Sequence, residues 1–235
     1  RLYSIASPST GEDGQGRHLA TTVKRTIDEH WETHRLFLGV ASNYLADLQA
    51  GDTVTVTGPN GKRFLIPERP GDHDYLFIAT GTGIAPFRGM LQELDAGGFP
   101  SRAVLLMGSP YATDLLYDAE LRALEARRPG FAYLTALSRE RQPDGGGPMY
   151  VDGRLRTHRE ALASLLASER TLIYVCGIQG MELGVLQAMA GILPPGVLDQ
   201  YVHVDPAVAG DPRSWTRKML HRELKTTRRI MLEVY

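Results

Sequence analysis

Residues 75–86 read YLFIATGTGIAP, and this stretch decides the fold. Its first five residues are apolar, which predicts a strand. Gly81 and Gly83 then allow a tight turn, and helical periodicity begins at Ala85. Free N–H groups at the start of a helix favour phosphate, so the turn either binds a phosphate group or is an ordinary connection between strand and helix. It is not the dinucleotide fingerprint, because the glycine spacing differs.

Downstream of this stretch, apolar runs alternate with amphipathic stretches of helical length. Alternation of this kind predicts a doubly wound parallel sheet, whose ligands lie at the carboxyl ends of the strands. The predicted strands are 75–79, 103–107, 131–137 and 172–176, and the predicted helices are 85–94, 115–127, 156–167 and 181–192.

Residues 1–67 have antiparallel β character instead. Residues 53–57 alternate in polarity and end at Gly58-Pro59, and a further strand, 63–66, follows the turn at Asn60-Gly61. Other strand candidates are 2–6 and 19–27, and a short helix over 42–48 is predicted to be capped by Ser42. Because a Pro-Gly linker occupies 67–72, we predict two domains, residues 1–70 and 71–235.

Composition narrows the function classes. There are 26 basic and 27 acidic residues, so net charge gives no reason to expect nucleic-acid or membrane-surface binding. Without a run of about 18 apolar residues we expect a soluble protein with no membrane span. The single cysteine, Cys176, cannot form an internal disulfide and favours a reducing compartment such as the cytoplasm.

Small and polar residues follow the predicted strands. Gly108-Ser109-Pro110 and Cys176-Gly177-Ile178 end two of them, and the glycine-rich turn after 75–79 ends a third. Three such strand ends in one sheet would form a cleft. Ser138 and Arg139 offer a hydroxyl beside a planar, charged guanidinium group, which suits a phosphomonoester. Tyr150 suits stacking on adenine. The alternative is a solvated loop arginine, a half-buried tyrosine and, for Cys176, an inert buried thiol.

Two further patterns have two interpretations each, and the residues alone do not decide between them. Arg1 and Tyr3 share one face of a strand while Ser4 points to the other, which suits a flavin or is simply a strand. Residues 211–235 carry seven basic and three acidic side chains. This segment would steer an acidic partner protein, or it is a solvated helix face.

Seven short segments, in order, resemble the motifs of the plant-type ferredoxin–NADP reductase family, and together they extend over essentially the whole chain. They are Arg1-Leu2-Tyr3-Ser4, Gly39-Val40-Ala41-Ser42-Asn43, Gly81-Thr82-Gly83-Ile84-Ala85-Pro86, Leu137-Ser138-Arg139-Glu140, Met149-Tyr150-Val151, Val175-Cys176-Gly177 with Gly180-Met181-Glu182, and the final Glu233-Val234-Tyr235.

The resemblance implies a partial antiparallel β-barrel that holds FAD, residues 1–70, followed by a doubly wound α/β domain that holds NADP(H), residues 71–235. The chain is expected to be a fragment that lacks the first barrel strands. Electrons would pass between ferredoxin or flavodoxin, an acidic partner, and NADP(H), by hydride transfer between FAD and nicotinamide. The expected location is the cytoplasm or the plastid stroma, and no metal site is expected.

The resemblance also implies roles for individual residues. Ser4, Cys176, Glu233 and Tyr235 would be catalytic, the first three around the meeting point of flavin and nicotinamide and Tyr235 on the flavin face opposite Tyr3. The predicted FAD contacts are Arg1, Tyr3, Ser4, Val23, Lys24, Gly39, Val40, Ala41, Ser42 and Tyr235. The predicted NADP(H) contacts are Thr82, Gly108, Ser109, Pro110, Gly177, Ile178 and Met181, with Ser138, Arg139 and Tyr150 at the 2′-phosphate and adenine.

Some features depart from the family pattern. Pro148 stands where relatives often have a lysine, so Arg141 or Arg154 would have to replace that phosphate contact, and Ala41 replaces a cysteine. Residues 39–45 also fit the reductase component of an oxygenase, such as the benzoyl-CoA epoxidase type. Two more hypotheses stay open at this point, the reductase part of a diflavin enzyme and a non-catalytic flavoprotein or electron-transfer scaffold.

Overall fold

A computed structural model describes residues 1–61 and 64–235. In chain order its strands and α-helices are β1 (Ile27–Glu29), β2 (Leu36–Leu38), α1 (Val40–Asp47), β3 (Asp74–Thr80), α2 (Ile84–Ala96), β4 (Ala103–Ser109), α3 (Asp118–Arg127), β5 (Phe131–Leu137), α4 (Val151–Thr157), α5 (Arg159–Ala167), β6 (Thr171–Gly177), α6 (Met181–Ile192), α7 (Pro195–Leu198), β7 (Val202–Val204), β8 (Leu224–Thr226) and β9 (Ile230–Val234). None of the helices described is long and apolar enough to cross a bilayer.

The centre of the fold is a five-stranded parallel sheet with the order β5-β4-β3-β6-β9. The predicted α/β class is confirmed, and the four predicted strands are present to within two residues at each end. From β3 the chain passes outward through β4 and β5, and it then returns to β6 on the other side of β3. The connections therefore diverge between β3 and β6, and this switch point is where open α/β sheets bind ligands.

Helices cover both faces of the sheet. Alternate residues of β3 point to opposite sides: Phe77 packs with the apolar residues of α2 and α3, and Ile78 packs with those of α4, α5 and α6. Both side chains are fully buried. Because the central strands are covered on both faces, their sequences are continuous apolar runs, which is why the runs identify them.

Helix boundaries differ from the prediction in three places. The predicted helix 156–167 is two helices, α4 and α5, which His158 separates. The helix predicted from residue 115 begins at Asp118, because Tyr117 has a left-handed backbone with φ of 59°. The predicted cap at Ser42 is wrong: α1 begins at Val40, and the Ser42 hydroxyl lies inside the first turn.

Residues 1–61 contain antiparallel pairs, as predicted, but they are few. Strands β1 and β2 pair with each other, and Ile5 and Thr21 form an isolated bridge. The strand predicted at 53–57 is wrong, since no strand of the described chain pairs with it and Val56 is 69% exposed. Part of the predicted strand 63–66 lies outside the described residues. Antiparallel pairing is thus present, and the partial barrel stays a prediction.

The last 35 residues contribute a strand pair and an edge strand that the sequence did not predict. Strands β7 and β8 pair antiparallel, and β9 extends the main sheet beside β6. The segment between β7 and β8 is held by Trp215, which is buried and donates from its indole N–H to the Val208 carbonyl at 2.8 Å.

Candidate functional site

The switch point between β3 and β6 is a narrow crevice. The Thr80 hydroxyl accepts a hydrogen bond from the Ile178 N–H at 2.9 Å, which ties the end of β3 to the turn after β6. The turn after β3 approaches β6 so closely that a Cβ on Gly83 would lie 2.2 Å from the Cys176 carbonyl oxygen. At Gly177, φ is 148°, and an added Cβ would lie 2.1 Å from the Thr80 hydroxyl. Only glycine fits at either position.

Two of the predicted catalytic residues are neighbours on adjacent strands. Cys176 of β6 and Glu233 of β9 are register partners. The Cys176 side chain is buried, and burial, with a smaller effect of the Glu233 charge, raises the thiol pKa to about 12. Burial also raises the pKa of Glu233. The sulfur is therefore a neutral thiol at neutral pH.

Tyr235 closes the crevice by three hydrogen bonds. Its hydroxyl and that of Thr82 are 2.6 Å apart, its N–H donates to the Gly177 carbonyl at 3.0 Å, and its carbonyl accepts from the Gln179 N–H at 3.0 Å. The side chain is nevertheless 63% exposed. The residue therefore bridges the turn after β3 and the turn after β6 while presenting its ring to solvent.

Ser4, the fourth predicted catalytic residue, lies in the N-terminal segment. Its carbonyl accepts a hydrogen bond from the Thr21 hydroxyl at 2.9 Å. Among the described residues no hydrogen bond joins Ser4 to Cys176 or Glu233. The structure thus unites Cys176, Glu233 and Tyr235 but does not join Ser4 to them.

Ser138 and Arg139 follow β5, whose carboxyl end lies on the same side of the sheet as the crevice. Their N–H groups donate to the carbonyls of Ser109 and Pro110, at 3.0 Å each. Arg139 is exposed, and so is Tyr150, at 72%. β5 lies three strand spacings from β6, or about 14 Å. Two more predicted contacts lie on the same side of the sheet: Gly108 is the register partner of Thr80, and Met181 is the first residue of α6.

Ser109 gives independent support for a polar ligand at this edge. Its hydroxyl is buried and has no hydrogen-bond partner among the described residues. A buried polar group without a partner costs roughly 1–3 kcal/mol. A ligand or water that reaches the end of β4 would satisfy it.

Arg154 does not substitute for the lysine that Pro148 replaces. Arg154 is 4% exposed, and its guanidinium donates to the Thr135 carbonyl at 2.7 Å, to the Gln142 side chain at 2.8 Å and to Asp144 at 2.5 Å. The first contact joins α4 to β5, and the other two hold the loop after β5 against α4. Of the two candidates, only Arg141 is exposed.

Arg154→Leu is expected to lower the free energy of unfolding by about 2–4 kcal/mol, because it removes the buried guanidinium donor from the Thr135 carbonyl and one of the two donors, Arg154 and the Leu137 N–H, from the Gln142 side-chain oxygen. Urea unfolding measures the change. Arg156→Leu is the matched control, since Arg156 is on the same helix, is 43% exposed and makes only a 3.4 Å pair with Asp152. Equal stabilities of the two variants would contradict this role of Arg154.

The predicted flavin contacts are mostly solvent-facing. Lys24 and Arg1 are exposed, Val40 is 87% exposed and Tyr3 is 37% exposed. The partly buried members are Ser4, Val23, Gly39 and Ala41. Ser42 is the exception: it is buried, and its hydroxyl accepts from the Thr26 N–H at 3.1 Å and donates to the Gly39 carbonyl at 3.3 Å. Within the described residues, the backbone N–H groups that open α1, rather than this hydroxyl, are available for a phosphate.

The basic residues of segment 211–235 do not share a helix face, because the segment consists of two short 3-10 turns followed by β8 and β9. Arg217 lies near the crevice, where it is 3.9 Å from Glu182 in the first turn of α6. Arg229 lies at the opposite edge of the sheet and donates to the Thr171 carbonyl at the start of β6. Arg213 pairs with Asp211. The interpretation of this segment as a single helix face is therefore wrong.

Sequence reasoning missed Thr80, although the hydroxyl of Thr80 joins the two turns of the crevice. Its position as the last residue before a glycine-rich turn was the available signal. It also missed the close approach of Gly83 to β6, which depends on tertiary structure alone.

Comparison with known proteins places the chain in a family. Residues 77–187 match the family model described as an oxidoreductase NAD-binding domain. A ferredoxin–NADP reductase of Thermosynechococcus vestitus is 40% identical over 195 residues, 80% of this chain and 50% of the relative. One from Spirulina sp. is 38% identical over 196 residues, 81% of this chain and 66% of the relative. The chloroplastic leaf isozyme 1 of Oryza sativa subsp. indica is 37% identical over 205 residues, 85% of this chain and 56% of the relative.

The chain thus spans between half and two thirds of the length of these relatives. The family model extends from β3 into α6, so its range includes the two turns, after β3 and after β6, that form the crevice. Motif order, sheet topology and identity over most of this chain agree, and the chain belongs to the plant-type ferredoxin–NADP reductase family.

Proposed function

We propose that the protein is a flavin-dependent oxidoreductase that passes electrons between ferredoxin, or flavodoxin, and NADP(H), by hydride transfer between FAD and nicotinamide. The observation that carries this proposal is the convergence of Cys176, Glu233 and Tyr235 at the switch point of the sheet. Family membership supplies the chemistry, and the names of the relatives supply the partner. Those relatives give no support to an oxygenase reductase, a diflavin enzyme or a non-catalytic flavoprotein.

NADP(H) would lie along the carboxyl ends of the strands from β5 to β6. We assign the 2′-phosphate and adenine to Ser138, Arg139 and Tyr150, and the orphaned Ser109 hydroxyl to a polar group of the bound nucleotide. Glycines at the crevice leave no Cβ between backbone and ligand, which supports close approach of the nicotinamide end. Thr82, Gly108, Pro110, Gly177, Ile178 and Met181 line this path.

FAD fits against the exposed face of Tyr235 and the N-terminal residues. Arg1 and the start of α1 offer positive charge and N–H groups for the pyrophosphate, and Tyr3 offers a ring. We propose residues 1–70 as the FAD-binding part, built as part of a barrel, and residues 71–235 as the NADP(H)-binding domain. When bound, FAD exchanges a hydride with nicotinamide and single electrons with the partner.

The residues around the crevice would set geometry rather than move protons. The neutral Cys176 thiol presents a polarizable, uncharged surface to the nicotinamide. Glu233 places a carboxyl group beside it, and Ser4 would complete this environment from the flavin side. Tyr235 covers the place that nicotinamide must occupy, so entry of the nicotinamide breaks the Thr82–Tyr235 hydrogen bond.

Anaerobic stopped-flow spectroscopy tests the function directly. On mixing the flavin-loaded protein with NADPH, we expect the flavin absorbance to bleach in a single kinetic phase, and added ferredoxin then to be reduced. A Cys176→Ser variant should still bind NADP⁺, but its flavin should be reduced more slowly. The substitution changes only the surroundings of the nicotinamide end of the nucleotide. Bound flavin that NADPH never bleaches would contradict the proposed function.

Arg139→Ala is expected to weaken NADP⁺ binding by about tenfold to a hundredfold and to leave NAD⁺ binding within about twofold, because a charge-assisted phosphate contact contributes roughly 1.5–3 kcal/mol. Isothermal titration with both nucleotides measures the difference. Arg141→Ala, which changes an exposed arginine of the same loop, is the control. A loss of equal size for NADP⁺ and NAD⁺ would place the 2′-phosphate elsewhere.

A further inference from the structure

Arg88, on the second turn of α2, is the centre of a polar cluster outside the crevice. Its guanidinium makes a two-point pair with Glu12, at 2.5 and 3.2 Å, and donates to the Ala6 carbonyl at 3.0 Å. On its other side it donates to Glu120 of α3 at 2.9 Å. The side chain is only 13% exposed. One cation therefore joins the N-terminal segment to two helices of the α/β domain.

Two neighbours strengthen the same junction. The guanidinium of Arg88 lies 5.0 Å from the centre of the Tyr117 ring, and the Tyr117 hydroxyl is 2.6 Å from that of Thr22. Tyr117 reaches this position with a left-handed backbone, φ 59°, which a non-glycine residue adopts only at a cost. The Ser9 N–H donates to Glu93, one turn further along α2, at 2.6 Å. The junction thus has three independent attachments.

The backbone of the segment lies directly on α2. A Cβ at Gly89 would lie 2.5 Å from the Ser7 carbonyl oxygen, so the glycine beside Arg88 allows this contact. Arg88 lies five residues after Gly83, which is about 7.5 Å along the helix axis from the crevice turn. The attached segment 6–12 is separated from residues 1–4 by Ile5 alone. The cluster therefore connects the segment that follows the predicted flavin contacts to the helix that begins at the crevice turn.

We propose that Arg88 is a positioning residue, which fixes residues 6–12 on α2 and thereby sets the position of residues 1–4 relative to the crevice. Glu12 is its essential N-terminal partner, and Glu120 orients the guanidinium. The two-point geometry matters because a planar fork fixes orientation as well as distance, which a lysine cannot reproduce. The effect of Arg88 on hydride transfer rests on the proposed function, whereas the attachment of residues 6–12 to α2 does not.

Amide hydrogen exchange tests the attachment without any cofactor. The reporters are the N–H groups of Ala6, Ser9 and Ala20, which bond to the Ala20 carbonyl, Glu93 and the Ser7 hydroxyl. In Arg88→Gln we expect their exchange to be about tenfold faster or more, with amides of β3 unchanged. Glu12→Gln, which leaves Arg88 and Glu120 in place, should give the same pattern at smaller size, and Arg88→Lys an intermediate one.

Arg127→Gln is the matched control, because Arg127 joins α3 to Asp95 of α2 at 2.6 Å without a described contact to the N-terminal segment. It should leave the three reporters unchanged. In flavin-loaded protein, Arg88→Gln should slow flavin reduction by NADPH about tenfold while NADP⁺ affinity stays within about twofold. Reporter exchange within twofold of wild type in Arg88→Gln and Glu12→Gln would overturn the proposal. If wild-type flavin is not reduced by NADPH, the proposed function fails, and exchange alone decides the role of Arg88.

Discussion

Tyr235→Ser is expected to tighten NADP⁺ binding about fivefold to a hundredfold. In the structure the hydroxyl groups of Tyr235 and Thr82 are 2.6 Å apart. Under the proposed function a nucleotide must break this bond and displace the ring from the flavin. Each loss costs roughly 0.5–1.5 kcal/mol, which gives the expected range. Titration of flavin-loaded protein, followed by flavin absorbance, measures it.

The same substitution should change the balance between NADPH and NADH. Under the proposed assignment of the 2′-phosphate to Arg139, NADH lacks that contact and its nicotinamide binds in the reactive position less often. Removal of Tyr235 should therefore raise kcat/KM for NADH. With NADPH the tighter complex releases product more slowly, so kcat should rise little or fall. Steady-state assays with both donors, at equal flavin loading, give the two ratios.

Tyr235→Phe is the control that separates ring from hydroxyl. It keeps the stacking surface and removes only the hydrogen bond to Thr82, so we expect a gain in NADP⁺ affinity of about twofold to tenfold. If Ser and Phe variants bind NADP⁺ as the wild type does, Tyr235 does not compete with the nicotinamide. If Phe and Ser give equal gains, the hydroxyl alone accounts for the effect.

The parts of the fold that could be predicted are those with a local signal. Strands β3 and β6 are covered on both faces, so each appears as an apolar run that needs no knowledge of its neighbours. Strand β9 is an edge strand whose apolar run is interrupted by Glu233 and follows a basic segment, and nothing local marks it. The strand predicted at 53–57 failed for the opposite reason, because alternation makes a strand only where a partner is available.

The candidate site shows the same limit. The order of the motifs identified Cys176 and Glu233, but their pairing depends on β9 lying beside β6. Thr82 and Tyr235 are 153 residues apart in sequence, and only the folded chain brings their hydroxyl groups together. Arg154 illustrates the converse, since an arginine next to a phosphate motif is a reasonable ligand until its burial against Gln142 and Asp144 is known.

Gly83→Ala is expected to slow flavin reduction by NADPH about a hundredfold and to lower the free energy of unfolding by about 1–3 kcal/mol. Gly83 has φ of −61° and ψ of −10°, which alanine adopts freely, so backbone strain plays no part. The effect comes from the new Cβ, which would lie 2.2 Å from the Cys176 carbonyl oxygen and 2.8 Å from the Gly177 Cα. Since these are backbone atoms, no side chain can rotate away, and the turn after β3 must separate from β6 by about 1 Å.

That separation would act where the proposed chemistry needs accuracy, because it moves Cys176 relative to Thr80 and Tyr235. Gly191→Ala on α6 is the matched control: an added Cβ there has no neighbour within 4 Å, and alanine in a helix should stabilise by about 0.5–1 kcal/mol. Stopped-flow reduction and urea unfolding of both variants separate local misplacement from lost stability. A Gly83→Ala protein that is reduced at the wild-type rate would show that the crevice tolerates a wider opening, and that contact between the two turns is not what sets the distance for hydride transfer.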